Sequence, residues 1–148
     1  MREGWVESIP SIYTQNREPV PSVVILDGGG NDVNAVRQDC RDMTPKCTET
    51  IDKVASMIAD LVADMHADGV RHVMYVGFFY LEGFEQAVDY GNALVAARCR
   101  PSDGCYFVDL RNLTVEVGWD GMHPVESSYH DIAKTIWKTK LRYDVPFA

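Results

Sequence analysis

Three apolar runs along the chain have the composition of β-strands. They cover Val23–Leu26, residues 72–79 and residues 105–110, and they are rich in β-branched and aromatic residues. The first run is continuous rather than alternating, which predicts a strand that is buried on both faces.

Between these runs, apolar residues recur at helical spacing. The pattern predicts a helix from Thr48 to a stop at Gly69, with further helices over residues 82–98 and 126–141. A helix interrupted by Pro10 is expected over residues 5–14. The last helix carries an apolar stripe made by Tyr129, Ile132, Ala133, Ile136 and Trp137. Strands that alternate with full helices indicate an α/β fold, with a parallel sheet covered on both faces. We therefore expect one domain over residues 1–148.

Composition and charge narrow the possible functions. The 148 residues are 46% hydrophobic and carry a net charge of −8, and the basic residues are scattered, which argues against nucleic-acid binding. No apolar run approaches the roughly 20 residues that span a bilayer. The first residues, Met1 to Gly4, do not have the pattern of a signal peptide.

The four cysteines form two close pairs in polar segments, Cys40 with Cys47 and Cys99 with Cys105. Neither spacing is typical of a zinc site. We expect two short-range disulfides, and hence a secreted or periplasmic protein, because disulfides persist in oxidising compartments. Three pairings of four cysteines are possible, and four reduced thiols are the alternative.

Two motifs carry candidate chemistry. Asp120-Gly121-Met122-His123-Pro124 precedes the last helix, and Gly29-Gly30-Asn31-Asp32 follows the first strand. A carboxylate three residues before a histidine can hold the imidazole in one tautomer, and an asparagine amide can donate to a developing oxyanion. Both motifs are expected at the carboxyl edge of the sheet, where open α/β folds bind ligands.

Structural roles are the alternative for each motif. Asp120 and His123 could form a turn that caps the last helix, and Gly28 to Asp32 could be a plain strand-ending turn. Phosphate binding is weakly supported, because the lysine and glycine spacing of phosphate loops is absent. A metal site made by Asp120, His123 and Asp32 lacks a compelling ligand spacing. Phe78, Phe79 and Tyr80 could line an acyl pocket or belong to the core.

In this order, the two motifs resemble blocks of the SGNH (GDSL-type) hydrolase family. The resemblance implies a three-layer, flavodoxin-like α/β/α fold and ester hydrolysis through a serine acyl-enzyme, without a cofactor. It implies that His123 is the base, that Asp120 orients it, and that Asn31 donates to the oxyanion. It also implies that Gly29 permits the tight turn at the oxyanion hole and that Asp32 braces the loop.

The family's Gly-Asp-Ser nucleophile block is absent from this sequence, so the resemblance implies that residues 1–148 are the C-terminal part of an SGNH hydrolase domain. Ser8 is a faint echo of it, but it lies too close to Asn31 for the intervening strands and helices of the family. We expect the first strands and the serine to come from a separate chain, a processed precursor or a symmetric neighbour, because the strand at Val23–Leu26 would otherwise be an exposed edge. The alternative function is a non-catalytic binding or interaction module on the same scaffold.

Overall fold

The computed structural model describes residues 8–146. Its helices and strands alternate as the sequence predicts. The strands are β1 (Val23–Leu26), β2 (His72–Val76) and β3 (Cys105–Val108). The helices are α1 (Ile9–Asn16), α2 (Gly30–Asn34), α3 (Arg37–Arg41), α4 (Pro45–Ala67), α5 (Glu85–Arg98) and α6 (Glu126–Arg142), with a short 3₁₀ turn at Pro101–Asp103.

The three strands form one parallel sheet in the order β1-β2-β3. Val23 pairs with His72, and Val73 pairs with Cys105. Alternate residues of β2 point to opposite faces, so that Tyr75 packs in the layer of α4 and α5 while Met74 packs in the layer of α6. The α/β fold with helices on both faces of a parallel sheet is therefore confirmed.

The core consists of the side chains between these layers. On one face the buried side chains come from the sheet, α4 and α5: Leu26, Ala55, Ile58, Leu61, Met65, Val73, Tyr75 and Val95. On the other face Met74, Val76, Tyr106 and Val108 are covered by Ile132 and Ile136 of α6. Burial of these apolar surfaces is the main force that holds the helices on the sheet.

Some element bounds differ from the sequence prediction. Helix α4 begins at Pro45 rather than Thr48, because Thr44 takes an extended backbone before a proline that suits the first helical turn. Strand β2 ends at Val76 rather than at residue 79, because the backbone of Phe78 pairs with the side chain of Asn92 instead of a strand. The first helix, predicted over residues 5–14 with an interruption at Pro10, is α1 (Ile9–Asn16). Pro10 lies in its first turn, where a proline is tolerated, and does not interrupt it; residues 5–7 lie outside the described residues.

The prediction that β1 is buried on both faces is wrong. Leu26 is buried, but Ile25 is 47% exposed. Among the described residues, β1 pairs only with β2, and α6 packs against β3. The layer that covers β3 therefore does not extend over Ile25, and β1 is an edge strand.

Helix α6 shows the same incomplete cover. Ile132 and Ile136 of its predicted stripe pack on the sheet, whereas Tyr129 is 52% and Trp137 51% exposed. The apolar stripe predicted from the sequence is thus wider than the surface that the described residues bury.

Both predicted disulfides are formed. Cys40–Cys47 joins α3 to the first turn of α4, and Cys99–Cys105 joins the end of α5 to the start of β3. All four cysteines are buried. In residues 8–146, no helix combines the length and apolar character needed to cross a membrane.

Candidate active site

The turn that carries Asn31 begins directly after β1. Gly29 has a φ of 88°, in the left-handed region that favours glycine, and it precedes the first residue of α2. A Cβ added at Gly29 would also collide with Val54 of α4. Asn31 is therefore not at the end of the strand but in the first turn of a short helix. Its side chain is exposed, as is that of Asp32 beside it.

Two aromatic side chains from β2 and its following loop fix this turn. The Tyr75 hydroxyl donates a 2.7 Å hydrogen bond to the carbonyl oxygen of Gly28. The ring of Phe78 packs so closely over Gly30 that a Cβ there would lie 3.0 Å from it. Burial raises the pKa of Tyr75 well above its ordinary value, and the hydroxyl stays a donor.

Phe78 is in turn fixed by a buried amide. The side chain of Asn92, which is 1% exposed on α5, accepts a hydrogen bond from Phe78 N–H at 3.0 Å. The same amide donates to Phe78 C=O at 2.8 Å. Both backbone groups of Phe78 are thereby satisfied away from water, as buried polar groups require. Asn92 thus holds Phe78 in the position in which its ring packs on Gly30.

Asp120 and His123 lie on a small hairpin in the connection between β3 and α6. Val117 and Pro124 form an antiparallel bridge, and Gly118 N–H donates to the His123 carbonyl oxygen at 2.8 Å. At the tip, Asp120 Oδ2 lies 2.6 Å from His123 Nδ1. Asp120 Oδ1 also accepts hydrogen bonds from the backbone N–H groups of Met122 and His123, at 2.9 and 3.0 Å.

This arrangement sets the charge and tautomer of the pair. The hydrogen bond from His123, followed by the two backbone donors, lowers the pKa of Asp120 to about 2. An ionised Asp120 favours a proton on Nδ1 of His123, which leaves Nε2 able to accept one. The imidazole is 69% exposed, so a substrate or another polypeptide can reach it.

A second charged network supports the start of the same connection. Arg111 contacts Asp109, directly after β3, through two nitrogens at 2.6 and 2.9 Å, and it reaches Asp89 of α5 at 3.0 Å. Tyr80 donates to the same Asp89 at 2.8 Å. Hydrogen bonds from Arg111 lower the pKa of Asp109, and those from Tyr80 and then Arg111 lower that of Asp89. The loops after β2 and β3 are thus tied together through α5.

The predicted site residues fall into two groups. Asp120 and His123 are in direct contact, while Asn31 follows β1, two strands away from β3 in the sheet. Because parallel strands end at the same edge, the connections that carry the two groups leave the sheet at one edge, where the ends of β1 and β3 lie roughly 10 Å apart at the strand spacing. Among the described residues, no hydrogen bond joins Asn31 to either of the other two, so their action in one site stays a prediction.

Two further candidates from the sequence are Ser8 and a metal site. The Ser8 hydroxyl caps α1 by accepting a hydrogen bond from Ser11 N–H. Within residues 8–146, no three His, Cys, Asp or Glu side chains are close enough to hold a metal ion. The sequence pattern did not identify Tyr75, Asn92 or Arg111 as supporting residues. The one available signal was the position of Asn92, a polar residue in the middle of a helix.

Comparison with known proteins supports the fold. No family model and no curated protein matches the sequence. Among solved structures, the chain is similar to TesA, an SGNH hydrolase, with a TM-score of 0.60 and 15% identity. The superposition covers 90% of this chain and 68% of TesA. At this identity the likeness concerns the fold alone, and the chain thus has the α/β architecture that TesA has.

Proposed function

We propose that this chain carries the base, the orienting carboxylate and an oxyanion donor of a serine ester hydrolase of the SGNH type. The observation that carries the proposal is the 2.6 Å contact between Asp120 and the exposed His123. It occurs in a fold similar to that of the esterase TesA, in a connection that leaves the same sheet edge as the Asn31 turn.

The reaction is acyl transfer in two steps. His123 Nε2 takes the proton of a serine hydroxyl, whose oxygen attacks the ester carbonyl. The Asn31 amide donates to the oxyanion, and Asp120 stabilises the imidazolium. The imidazolium then gives its proton to the leaving alcohol, and water releases the acid by the same route. Asp32 braces the turn, where its charge also suits the start of a helix.

The nucleophile comes from a polypeptide segment outside this chain. Among the described residues, no serine hydroxyl is hydrogen-bonded to His123, and Ser8 and Ser128 are engaged as a helix cap and a loop support. The same segment supplies the first strands of the fold, in keeping with the 68% of TesA that the chain covers.

The outer edge of β1 is suited to receive that segment. The Ser22 carbonyl accepts from His72 N–H at 3.2 Å, so in a parallel ladder Val24 and Leu26 also turn their backbone groups to β2. Val23 and Ile25 turn theirs to the open side. A further parallel strand would pair with these groups, and its side chains would flank the exposed Ile25 side chain.

The two disulfides favour an oxidising environment, so we infer that the protein is secreted or periplasmic. The substrate is a small-molecule ester.

Complementation tests the enzymatic proposal. The chain is co-expressed with a segment that carries a Gly-Asp-Ser strand, and hydrolysis of p-nitrophenyl acetate is measured. We expect His123→Ala to lower kcat at least about a hundredfold, as loss of a general base does. His130→Ala, an exposed histidine on α6, is the matched control and is expected to leave the rate unchanged. Hydrolysis that survives His123→Ala contradicts the assignment of the base.

A non-catalytic interaction module is the second candidate, and the open edge of β1 favours it. A fluorophosphonate probe separates the two, because it labels an activated serine. Labelling of a polypeptide associated with this chain supports the enzyme. Absence of labelling, together with a stable complex at the β1 edge, supports the module.

A further inference from the structure

Trp119 is fully exposed beside the Asp120–His123 pair. Its relative exposure is 101%, the highest of the large hydrophobic residues in the part of the chain that the structure describes. An indole in water gains nothing for folding, and exposed aromatic residues in a functional region are candidates for ligand contact.

The hairpin fixes the backbone that carries this side chain. Gly121 N–H donates to the Gly118 carbonyl oxygen at 2.9 Å, which closes a turn with Trp119 and Asp120 at its centre. Gly118 is also bonded to His123 across the hairpin at 2.8 Å. Trp119 therefore lies on the same hairpin as the base His123, and its backbone is ordered before any ligand binds. Such preorganisation lowers the entropy cost of a contact.

The chemistry of the proposed function indicates which part of the substrate lies next to His123. His123 gives its proton to the oxygen of the leaving alcohol, so the alcohol lies next to the imidazole. The acyl carbonyl lies toward the Asn31 donor, at the other end of the site. An exposed indole on the same hairpin as His123 is thus a candidate to contact the alcohol part of the ester.

The negative charge around Trp119 argues against a lipid surface as its binding partner. Interfacial anchors combine aromatic residues with basic ones that attract anionic headgroups. Here the hairpin and the start of α6 carry Glu116, Asp120 and Glu126, and the chain has a net charge of −8. A flat ring that stacks on the indole face needs no basic residue.

We propose that Trp119 is a specificity-determining residue that stacks on the ring of a cyclic leaving alcohol, either a sugar or an aryl alcohol. This inference rests on the proposed function, because the position of the alcohol follows from the role of His123.

Binding of ring compounds to this chain alone is tested first, because the binding measurement needs no nucleophile. The protein is labelled with fluorotryptophan, and the fluorine signals of Trp5, Trp119 and Trp137 are assigned with single Trp→Phe variants. Methyl β-glucopyranoside and benzyl alcohol are the ring probes, and glycerol is the acyclic control. We expect a saturable shift of the Trp119 signal with at least one ring probe and none with glycerol. The probe that shifts the signal identifies the sugar or the aryl class.

Two results would overturn the inference. One is the absence of any saturable shift with both ring probes. The other is a shift of the Trp119 signal with anionic phospholipid vesicles and not with the ring probes, which would indicate a membrane contact.

Kinetics of the complemented enzyme separates this inference from the proposed function. Trp119→Ala is expected to raise KM for an ester of the preferred ring alcohol about tenfold, in the range of an aromatic stacking contact, with kcat nearly unchanged. Trp119→Phe keeps most of the affinity, and Trp137→Phe is the control. Equal effects of Trp119→Ala on ring and acyclic esters contradict the inference while hydrolysis itself stands. An inactive complemented chain that still binds the ring contradicts the proposed function instead.

Discussion

The hydroxyl group of Tyr75 donates a 2.7 Å hydrogen bond to the carbonyl oxygen of Gly28, 47 positions earlier in the chain. This bond joins the buried centre of the sheet to the turn that carries Asn31. Because Gly29 has a left-handed backbone and Val54 lies beneath it, the turn has little freedom to take another path. The position of the proposed oxyanion donor thus depends on a core residue of β2.

Tyr75→Phe tests this dependence. Loss of the donor leaves the Gly28 carbonyl unpaired, so the free energy of unfolding should fall by about 1 kcal/mol, and amide exchange at Gly30 and Asn31 should become faster. Tyr90→Phe is the control, because its exposed hydroxyl contacts Asp52 at the surface of α4; its effect should stay within about 0.5 kcal/mol. Equal exchange rates in the two variants would show that Tyr75 does not hold the turn.

Asn92→Leu should destabilise the protein more strongly. The new side chain has a similar volume but leaves both backbone groups of Phe78 without a partner, at a cost of about 2–4 kcal/mol. Urea denaturation measures the loss, and the Phe78 amide should exchange faster. Gln86→Leu, at an exposed position of the same helix, is the matched control. If the two variants are equally stable, the Asn92 amide does not support the loop after β2.

The carboxyl group of Asp120 should titrate near pH 2. The pKa of this carboxyl group in the folded chain lies below the roughly 3.9 of an unfolded chain. The stabilisation from its hydrogen bonds is therefore fully present above about pH 3.9 and is lost as the pH falls through about 2. Carbon NMR of the Asp120 carboxyl group measures this directly. His123→Ala removes the largest cause and should raise the pKa toward the ordinary value, although the two backbone donors remain. His130→Ala should not change it, and an ordinary carboxyl pKa in the unaltered chain would contradict the hairpin geometry.

Removal of the Cys40–Cys47 disulfide should loosen the region next to the Asn31 turn. The bridge closes a short loop, with a sequence separation of 7, and its loss through the double change to alanine should cost about 2 kcal/mol of unfolding free energy. Thermal unfolding measures the loss. The Cys99–Cys105 pair, with a separation of 6, is the comparison and should cost a similar amount. An unchanged Tm in the first variant means that α3 does not need the bridge.

The sequence predicted the sheet edge at which the candidate site lies, but not the residues that hold its turns in place. Regular alternation of apolar strands and amphipathic helices leaves few topologies, so the ends of β1 and β3 could be located before the structure was known. The contact between Asp120 and His123 is local, over three positions, and its motif is visible in the sequence. Tyr75 lies in an apolar run and looks like any core residue, because its partner Gly28 is distant in sequence.

The hydrophobic pattern also did not predict the exposed side chains of β1 and α6 or the two short helices. Apolar spacing in β1 and α6 predicts buried faces, but it cannot say whether the covering element belongs to the same chain, as the exposed Ile25 and Trp137 illustrate. Helices α2 and α3 have five residues each, too few for a periodic signal. Their packing against α4 and the Cys40–Cys47 bridge stabilise them instead.

The central claim is that Asn31 and His123 face one substrate, and proximity between them tests it most directly. A nitroxide spin label is attached at Asn31→Cys, and the imidazole signals of His123 are recorded by NMR. The label at Met57→Cys, exposed on α4 across the sheet from α6, is the control. We predict strong paramagnetic broadening of the His123 signals by the label at position 31 and little by the label at position 57. His123 signals that are unaffected by the label at position 31 would contradict a shared site.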